Sequence, residues 1–484
     1  MSNIILIQPK IGNLDSVNRH PALPLGLLSI SRYISKDYNV KIIDQRINKN
    51  WRKELESELN KKPLFIALTV MNGPQLRYAN QISKLIKKMS DIIIIWGGPH
   101  PTFYPESINN PYVDIIIRGE GEVTINELAK AIKSNTDLRK VEGISFKSKN
   151  DVIHNKQRPN VIMDSLPLIP LDIINLKKYI YNYKQNGKKI SYSIFEASRG
   201  CTNDCHFCRN SANILSTNWR GFSAPNLFKR IRRLIDNFGI NYFYFVDDNF
   251  FVNPNMIKSF CERVNKSKYK FQWIASGTVK KISCYSDEFY NELSKSGCKI
   301  IHIGLESGSQ KLIDSMQKEK FKLSDVIKLN KRLRKYGIVP YYEILLGYYG
   351  ETLDDIKKTI RLIFKLIKDN KDVQFSALHC LSLYENTKLY DFATKNKLLN
   401  VPSTNLESND WSKAKIPWIN KERKRLLERL YFCSLFIDNK HELVDSFLVR
   451  AFSKIYRPIA LYRMKNLDFR LMFEHRLVHL QNIL

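Results

Sequence analysis

Five short apolar runs, spaced along the first 135 residues, restrict the fold of this chain more than any other feature. The runs are residues 4–7, 40–43, 64–69, 92–96 and 114–117. Between them lie stretches with apolar residues at helical spacing, at 24–35, 75–88 and 123–133. Fully apolar strands that alternate with helices predict a parallel sheet with helices on both faces. We therefore expect a doubly wound α/β domain over residues 1–135.

The loops after these predicted strands matter for function, because open parallel sheets bind ligands outside the carboxyl ends of their strands. Three of the loops are marked by glycine or proline, at residues 71–74, 97–100 and 119–122. Glycine lets a large flat ligand approach the backbone closely. The alternative interpretation is that these loops are only tight turns between a strand and a helix.

A second series of strands and helices begins at residue 191, after a segment of little periodicity that we assign as a linker, 136–190. Its predicted strands are residues 191–197, 242–246, 271–276, 299–304, 339–346 and 373–383. Helical patterns lie between them, for example at 226–238 and 323–336. Six strand and helix units predict a partial (β/α)6 barrel over residues 191–385, with its chemistry at the carboxyl ends of the strands. Residues 386–484 are expected to form a helical, basic C-terminal region.

Three of the eight cysteines lie close together, as Cys201, Cys205 and Cys208, directly after the first predicted barrel strand. Thiolates are soft ligands that suit iron-sulfur clusters or zinc. A structural zinc site normally takes a fourth protein ligand, and His206 is too close in sequence to reach round to such a metal. Three thiolates on a four-iron cluster would leave one iron open to a small molecule. A zinc knuckle or a chance spacing is the alternative.

The Cys-x3-Cys-x2-Cys spacing, with Phe207 before the last cysteine, resembles the radical S-adenosylmethionine (SAM) superfamily. In that family SAM chelates the open iron, and its reductive cleavage gives methionine and a 5'-deoxyadenosyl radical that removes a hydrogen atom. The resemblance implies a 4Fe-4S cluster held by the three cysteines, SAM as a second cofactor, and Phe207 near the adenine. Later family motifs are matched by GLESGS at 304–309 and LLGYYGET at 345–352.

Two acidic positions at predicted strand ends correspond to SAM-contacting positions of the family. The resemblance implies that Glu306 lies near SAM and that Asp247 contacts its amino group. The alternative for both is loop solvation or helix capping. The chain also departs from the family, because Thr278 stands where relatives often have arginine and residues 383–387 replace a proline-glycine turn.

Motifs in the first domain resemble the cobalamin-binding domain that precedes the barrel in cobalamin-dependent radical SAM enzymes. These motifs are PALPLGLL at 21–28, WGGPHPT at 96–102 and RGEGE at 118–122. The corrinoid contacts that the resemblance implies are Met71, Gly97, Gly98, His100, Gly119, Glu120 and Gly121. An Asp-x-His-x-x-Gly signature is absent, and neither His20 nor His100 lies in such a pattern. We therefore expect cobalamin without a protein histidine on the cobalt.

The family resemblance implies an enzyme that uses cobalamin to methylate an unactivated carbon of a small-molecule or lipid substrate. A radical rearrangement, cyclisation or oxidation without methyl transfer is the alternative with the same cofactors. A low-potential electron donor such as flavodoxin or ferredoxin is the expected protein partner. The substrate has no transferable signature in the sequence.

The formal charge of +31 leaves a different class of function open. It suits a nucleic acid, an anionic membrane surface, an acidic substrate, or only a lysine-rich coding bias. A basic nucleic-acid-binding protein with a structural cluster is therefore a further alternative, although residues 386–484 match no recognised binding module and we do not expect nucleic acid as a partner. Without a signal sequence or a long apolar run, the expected location is the cytoplasm, with peripheral membrane contact left open.

Overall fold

The computed structural model describes residues 2–12, 15, 21–149, 151–185, 187–211, 218–316, 320–399, 416–437, 447–470 and 472. Within them the chain divides into two compact units, and the boundary falls between Ile194 and Phe195. The finer division at residues 135, 190 and 385 is a proposal from the sequence. In the part of the chain that is described, no helix is both long and apolar enough to cross a membrane.

The first unit is built on a seven-stranded sheet with the order β2-β1-β3-β4-β5-β6-β7. Neighbouring strands from β2 to β5 are parallel, which confirms the predicted doubly wound sheet. Its strands are β1 (Asn3–Gln8), β2 (Asn39–Asp44), β3 (Ile66–Thr69), β4 (Ile94–Gly97), β5 (Ile115–Ile117), β6 (Ile144–Ser148) and β7 (Asp151–His154). Its helices are α1 (Leu25–Ile34), α2 (Trp51–Leu59), α3 (Pro74–Met89), α4 (Pro99–Phe103) and α5 (Glu122–Lys133).

Both faces of this sheet are covered by helices, as its alternating side chains require. Ile4 and Leu6 of β1 belong to one apolar cluster, which includes residues of α1 and α5. Ile5 and Ile7 belong to a second cluster on the opposite face, which includes residues of α2 and α3. The five parallel strands are therefore buried on both sides, and their carboxyl ends form one edge.

Strands β6 and β7 lie inside the segment that the sequence analysis assigned as a linker, and that part of the assignment is wrong. They form an antiparallel hairpin, and β6 also pairs antiparallel with β5. Ile144 and Phe146, two residues apart, are buried in the apolar cluster of that sheet face. Each strand has only two such apolar residues, with Val152 and Ile153 in β7, so the alternation was too short to recognise in the sequence.

The second unit contains most of an eight-stranded sheet with the order β16-β15-β14-β13-β12-β9-β8, in which β17 also pairs with β15. The unit boundary falls within β9. The strands are β8 (Tyr181–Gln185), β9 (Lys188–Phe195), β12 (Tyr242–Phe245), β13 (Gln272–Thr278), β14 (Cys298–Glu306), β15 (Val339–Leu346), β16 (Gln374–Phe375) and β17 (His379–Cys380). Two short strands, β10 (Ser198–Arg199) and β11 (Arg220–Gly221), pair separately.

Helices follow the strands of this sheet, as expected for a partial barrel. They are α6 (Ala224–Phe238), α7 (Pro254–Lys266), α8 (Val279–Ser283), α9 (Asp287–Lys295), α10 (Gln310–Ser315), α11 (Leu323–Lys335) and α12 (Leu353–Asp369). The parallel pairing from β12 to β16 confirms the predicted half-barrel. The last helices are α13 (Lys388–Lys395), α14 (Lys421–Ser434) and α15 (Phe447–Asn466).

Candidate active site

The loop that carries the three cysteines begins directly after the short strand β10. Gly200, immediately before Cys201, has a φ of 83°, a conformation that glycine adopts at little cost. Its backbone N–H donates to the Asp248 carboxylate at 3.1 Å. None of the three cysteines is in a disulfide; Cys205 is buried, whereas Cys201 and Cys208 are half-buried. The loop therefore presents three thiols outside any disulfide within eight residues.

Contacts from two other segments hold this loop in place. The His206 N–H donates to the Met316 carbonyl at 3.1 Å, and its carbonyl accepts from the Leu389 N–H at 2.9 Å. Phe207 packs edge-on against Tyr348, with ring centroids 6.5 Å apart, and lies on an apolar cluster of the barrel. Phe207 is thus anchored beside the cysteines, and its position near the SAM adenine stays a prediction.

The sulfur of Cys201 accepts two N–H groups. The Asn203 backbone N–H lies 3.5 Å away, and the Asn249 side-chain amide lies 3.8 Å away. Asn249 is only 1% exposed, so its amide is fixed toward the sulfur. Donors of this kind stabilise negative charge on sulfur, and they fit a thiolate that binds iron. Sequence reasoning missed Asn249, although it directly follows the Asp247-Asp248 pair.

Among the described residues, no three His, Cys, Asp or Glu side chains converge on one point where a single metal ion would bind. A mononuclear site needs such convergence, whereas a four-iron cluster places each thiolate on its own iron. The loop fits the cluster through its donor set, which is three thiols outside any disulfide with N–H donors to Cys201.

Asp247 lies at the end of β12 and is buried, with 5% exposure. Its carboxylate accepts the Ala197 N–H at 2.8 Å and the Ser198 hydroxyl at 2.7 Å. Burial raises the pKa of Asp247 to about 7, against the opposing effect of these hydrogen bonds. The carboxylate thus ties the end of β12 to the strand that leads into the cysteine loop. Contact with the SAM amino group stays a prediction.

Glu306 ends β14 in a conformation that is unusual for a side chain other than glycine. Its φ is 65°, and the pairing of β14 with β15 shifts register between Gly304 and Glu306. A bulge with a left-handed residue at the carboxyl end of a barrel strand is the kind of local strain found at functional sites. Glu306 is 8% exposed, and its contact with SAM stays a prediction.

The sheet face opposite the helices carries a polar cluster that sequence reasoning also missed. Its members are Tyr244, Ser276, His302, Tyr341 and Glu343, from β12 to β15. The neighbouring residues Phe245, Trp273 and Ile303 are buried against the helices, so the two sets point to opposite faces. The set could not be found in one sequence because it depends on the register of four strands.

His302 is the centre of this polar cluster. Its ring stacks on Tyr341, with centroids 4.1 Å apart, and lies 5.2 Å from the ring of Tyr244. Its Nδ1 is 3.5 Å from a carboxylate oxygen of Glu343, whose side chain is 51% exposed. Burial, followed by the Glu343 charge, raises the pKa of Tyr244. The arrangement leaves the second imidazole nitrogen without a hydrogen bond from any described residue.

In the first unit, the three glycine-marked loops meet at the carboxyl edge of the sheet. Thr102 links two of them, because its hydroxyl donates to the Gly98 carbonyl at 2.8 Å and accepts the Gly119 N–H at 2.9 Å. The Val70 N–H donates to the Gly97 carbonyl at 2.8 Å, which ties in the loop after β3. Backbone atoms therefore form a connected edge that a flat ligand can approach.

Gly98 shows why this edge needs glycine. Its φ is 98°, and a Cβ there would lie 3.2 Å from the Val70 carbonyl oxygen. In the loop after β3, Met71 is 37% exposed. In the loop after β5, Gly121 directly precedes α5. A cradle of this kind fits a corrinoid, although each contact residue stays a prediction.

Two of the predicted corrinoid contacts, His100 and Glu120, make hydrogen bonds to other residues of the first unit. His100 is 4% exposed, its Nδ1 lies 2.8 Å from the Asn72 side-chain oxygen, and its ring stacks on Tyr104. Glu120 accepts the Val161 N–H at 2.7 Å. These contacts give both residues a structural role. His20 lies outside the described residues.

Comparison with known families assigns the two parts of the chain separately. The profile of the Radical SAM superfamily matches residues 195–363, and that of the B12 binding domain matches residues 18–129. An uncharacterized methyltransferase from Pyrococcus horikoshii is 25% identical over 404 residues, which cover 82% of this chain and 84% of that protein.

Two further comparisons concern a cyclase and a solved structure. An anaerobic magnesium-protoporphyrin IX monomethyl ester cyclase from Synechocystis is 26% identical over 236 residues, covering 48% of this chain but only 46% of the cyclase. The cobalamin-dependent SAM radical enzyme OxsB, solved with aqua-cobalamin, has a TM-score of 0.76 at 20% identity and covers 99% of this chain and 75% of its own. The likeness to OxsB concerns the fold.

Proposed function

Given that the chain is a member of the radical SAM superfamily that also carries a B12 binding domain, we propose that it methylates an unactivated carbon of a small-molecule or lipid substrate. The observation that carries this proposal is the match to a methyltransferase over 82% of the chain and 84% of the relative. A shared chain lets both cofactor sites act on one substrate without a second encounter.

The cofactor residues in this proposal lie on two separate parts of the fold. Cys201, Cys205 and Cys208 would hold the 4Fe-4S cluster, and Phe207, Asp247 and Glu306 would contact SAM. The corrinoid would lie on the loops after β3, β4 and β5 of the first unit. When bound, these cofactors supply the electron that cleaves SAM, the radical that takes a hydrogen atom, and the methyl group.

The polar cluster around His302 is the proposed substrate-facing surface. Glu343 lies 3.5 Å from Nδ1, and in the neutral ring the other nitrogen would accept a hydrogen bond from a substrate hydroxyl or amino group. Tyr244 and Tyr341 restrict the ring from both sides. This surface favours a substrate that offers a hydrogen-bond donor beside the reacting carbon.

The reaction also requires a source of electrons. The enzyme acts in the cytoplasm and takes its electron from a low-potential donor such as flavodoxin or ferredoxin. In the C-terminal region, Arg423 donates to the Glu351 carbonyl at 3.5 Å, so part of the basic charge serves the fold of the second unit. A nucleic-acid-binding function has no comparable support.

A second reaction class, cyclisation or rearrangement without methyl transfer, is favoured by the match to the magnesium-protoporphyrin cyclase. The experiment that separates the two uses reconstituted enzyme, cobalamin, a low-potential reductant, a metabolite extract and SAM with a deuterated methyl group. Mass spectrometry should find a product that carries the labelled methyl, with S-adenosylhomocysteine and 5'-deoxyadenosine formed together. Formation of 5'-deoxyadenosine and an unlabelled new product, without S-adenosylhomocysteine, would contradict methyl transfer.

A further inference from the structure

A groove on the first unit is lined by residues that are not among the predicted corrinoid contacts. It has a volume of about 550 Å³, within the range of small-molecule sites. The groove runs between α2 and α3, on the sheet face formed by their shared apolar cluster. Its lining residues are Lys10, Gln45, Trp51, Arg52, Tyr78, Gln81, Ile82, Lys84, Leu85 and Lys88.

The charge of the groove is positive, and one of its lysines, Lys84, lies over the Tyr112 ring, 6.0 Å from its centroid. Four of its lining residues are cations and none is acidic: Lys10, Arg52, Lys84 and Lys88. None of these four forms an ion pair with a carboxylate in the described part of the chain. Two carboxylates near the groove are paired with other cations, since Glu54 binds Lys41 at 2.6 Å and Asp114 binds Lys87 at 2.8 Å. The positive charge of the groove therefore favours an anionic ligand.

Aromatic and amide groups line the same space. Trp51 and Tyr78 are half-buried, and Ile82 provides an apolar floor. The Gln45 side-chain oxygen accepts the Lys10 N–H at 2.9 Å, which leaves its amide group able to donate. Arg52 lies over the Trp51 ring, 5.4 Å from its centroid, so a cation and a stacking surface are adjacent. A simple inorganic anion would contact only the cations and would leave the aromatic rings and the amides without a ligand.

We propose that this groove binds a nucleoside phosphate. The phosphates would lie among the lysines and Arg52, which bind such oxygens well. The base would contact Trp51 and Tyr78 and hydrogen-bond to the glutamine amides, because flat rings stack on aromatic side chains. Trp51 and Arg52 are also the first two residues of α2, whose positive end favours an anion. None of the lining residues is among the predicted SAM or corrinoid contacts, so this proposal does not rest on the methyl-transfer chemistry.

The test uses the full-length reconstituted protein, saturated with SAM and hydroxocobalamin so that those sites cannot take up the probe. Isothermal titration calorimetry measures the binding of ADP, adenosine and inorganic pyrophosphate. The doubly substituted Lys84→Gln, Lys88→Gln protein should bind ADP about tenfold more weakly, as expected for lost contacts to a charged group. The matched control replaces Lys53 and Lys130, which do not line the groove, by Gln and should change the Kd by less than about twofold.

A second readout uses the indole of Trp51. ADP should change the intrinsic fluorescence of the protein, and Trp51→Phe should remove that change. Three results would overturn the proposal: an unchanged Kd for ADP in the Lys84 and Lys88 variant, equal weakening in the control variant, or pyrophosphate binding as tight as that of ADP. The second result would mean unspecific attraction to a basic chain, and the third a simple anion site.

Discussion

The Asp247 carboxylate accepts a 2.7 Å hydrogen bond from the Ser198 hydroxyl, three residues before Cys201. Together with the contact from the Ala197 N–H, this bond fixes the start of the cysteine loop against the end of β12. The cysteine loop is therefore positioned by a buried acid.

This acid predicts a pH dependence of stability. Burial raises the pKa of Asp247 to about 7, well above its usual value of 3.8. The folded protein therefore retains a proton that the unfolded chain releases, so this contribution is present at low pH and is lost as the pH rises toward 7. Asp247→Asn should reduce the loss of thermal stability between pH 5.5 and 8, roughly by a few degrees. Melting curves of both proteins at the two pH values check this, and parallel pH dependence would refute it.

Asn249 should influence the reduction potential of the cluster. Its amide donates to the Cys201 sulfur, and a donor to sulfur favours the more negative, reduced state. Asn249→Ala should therefore shift the potential to more negative values while the cluster is retained. A redox titration followed by electron paramagnetic resonance measures this shift. Asn265→Ala, which removes an amide contact with Glu292, is the control and should leave the potential unchanged.

Thr102 should matter for corrinoid binding, although it was not among the predicted contacts. Its hydroxyl joins the Gly98 and Gly119 loops, so Thr102→Val removes both hydrogen bonds while keeping the side-chain shape. Hydroxocobalamin affinity should fall by roughly tenfold, as expected for one or two lost hydrogen bonds. Spectrophotometric titration checks this, with Thr136→Val as the control at the end of α5. Equal affinity in both variants would mean that the corrinoid lies elsewhere.

Substitution of Glu306 tests the predicted SAM site. A carboxylate at the carboxyl end of a barrel strand can accept a hydrogen bond from the SAM ribose or amine, and such bonds to charged groups contribute about 1.5–3 kcal/mol. Glu306→Gln should therefore weaken SAM binding by roughly tenfold to a hundredfold with an intact cluster. Titration of SAM against the reduced cluster measures this. Unchanged affinity would leave Glu306 with a structural role only.

The sequence predicted the parallel strands and the cysteine loop because both depend on local patterns. Ile4 and Leu6 alternate with Ile5 and Ile7, and each pair enters a different apolar cluster. Such a run is readable without knowing its neighbours. The same holds for the spacing of the cysteines.

The parts of the site that the sequence did not predict depend on contacts between distant residues. The contact of Asn249 with Cys201 spans 48 positions, and the position of His302 beside Glu343 depends on the register of β14 and β15. His100 was predicted from a family motif to contact the corrinoid. In the structure its Nδ1 lies 2.8 Å from the side-chain oxygen of Asn72 in the interior. Residue type and local spacing do not determine where such side chains point.

We propose that Cys201, Cys205 and Cys208 hold a cluster that cleaves SAM. The most direct measurement compares Cys205→Ala with Cys284→Ala, which removes an exposed cysteine outside the loop. After anaerobic reconstitution, each protein is assayed for absorbance in the blue region and for 5'-deoxyadenosine formed from SAM under a low-potential reductant. We expect Cys284→Ala to keep both signals and Cys205→Ala to lose both, because two thiolates anchor the cluster too weakly. An intact, SAM-cleaving cluster in the Cys205→Ala protein would contradict it.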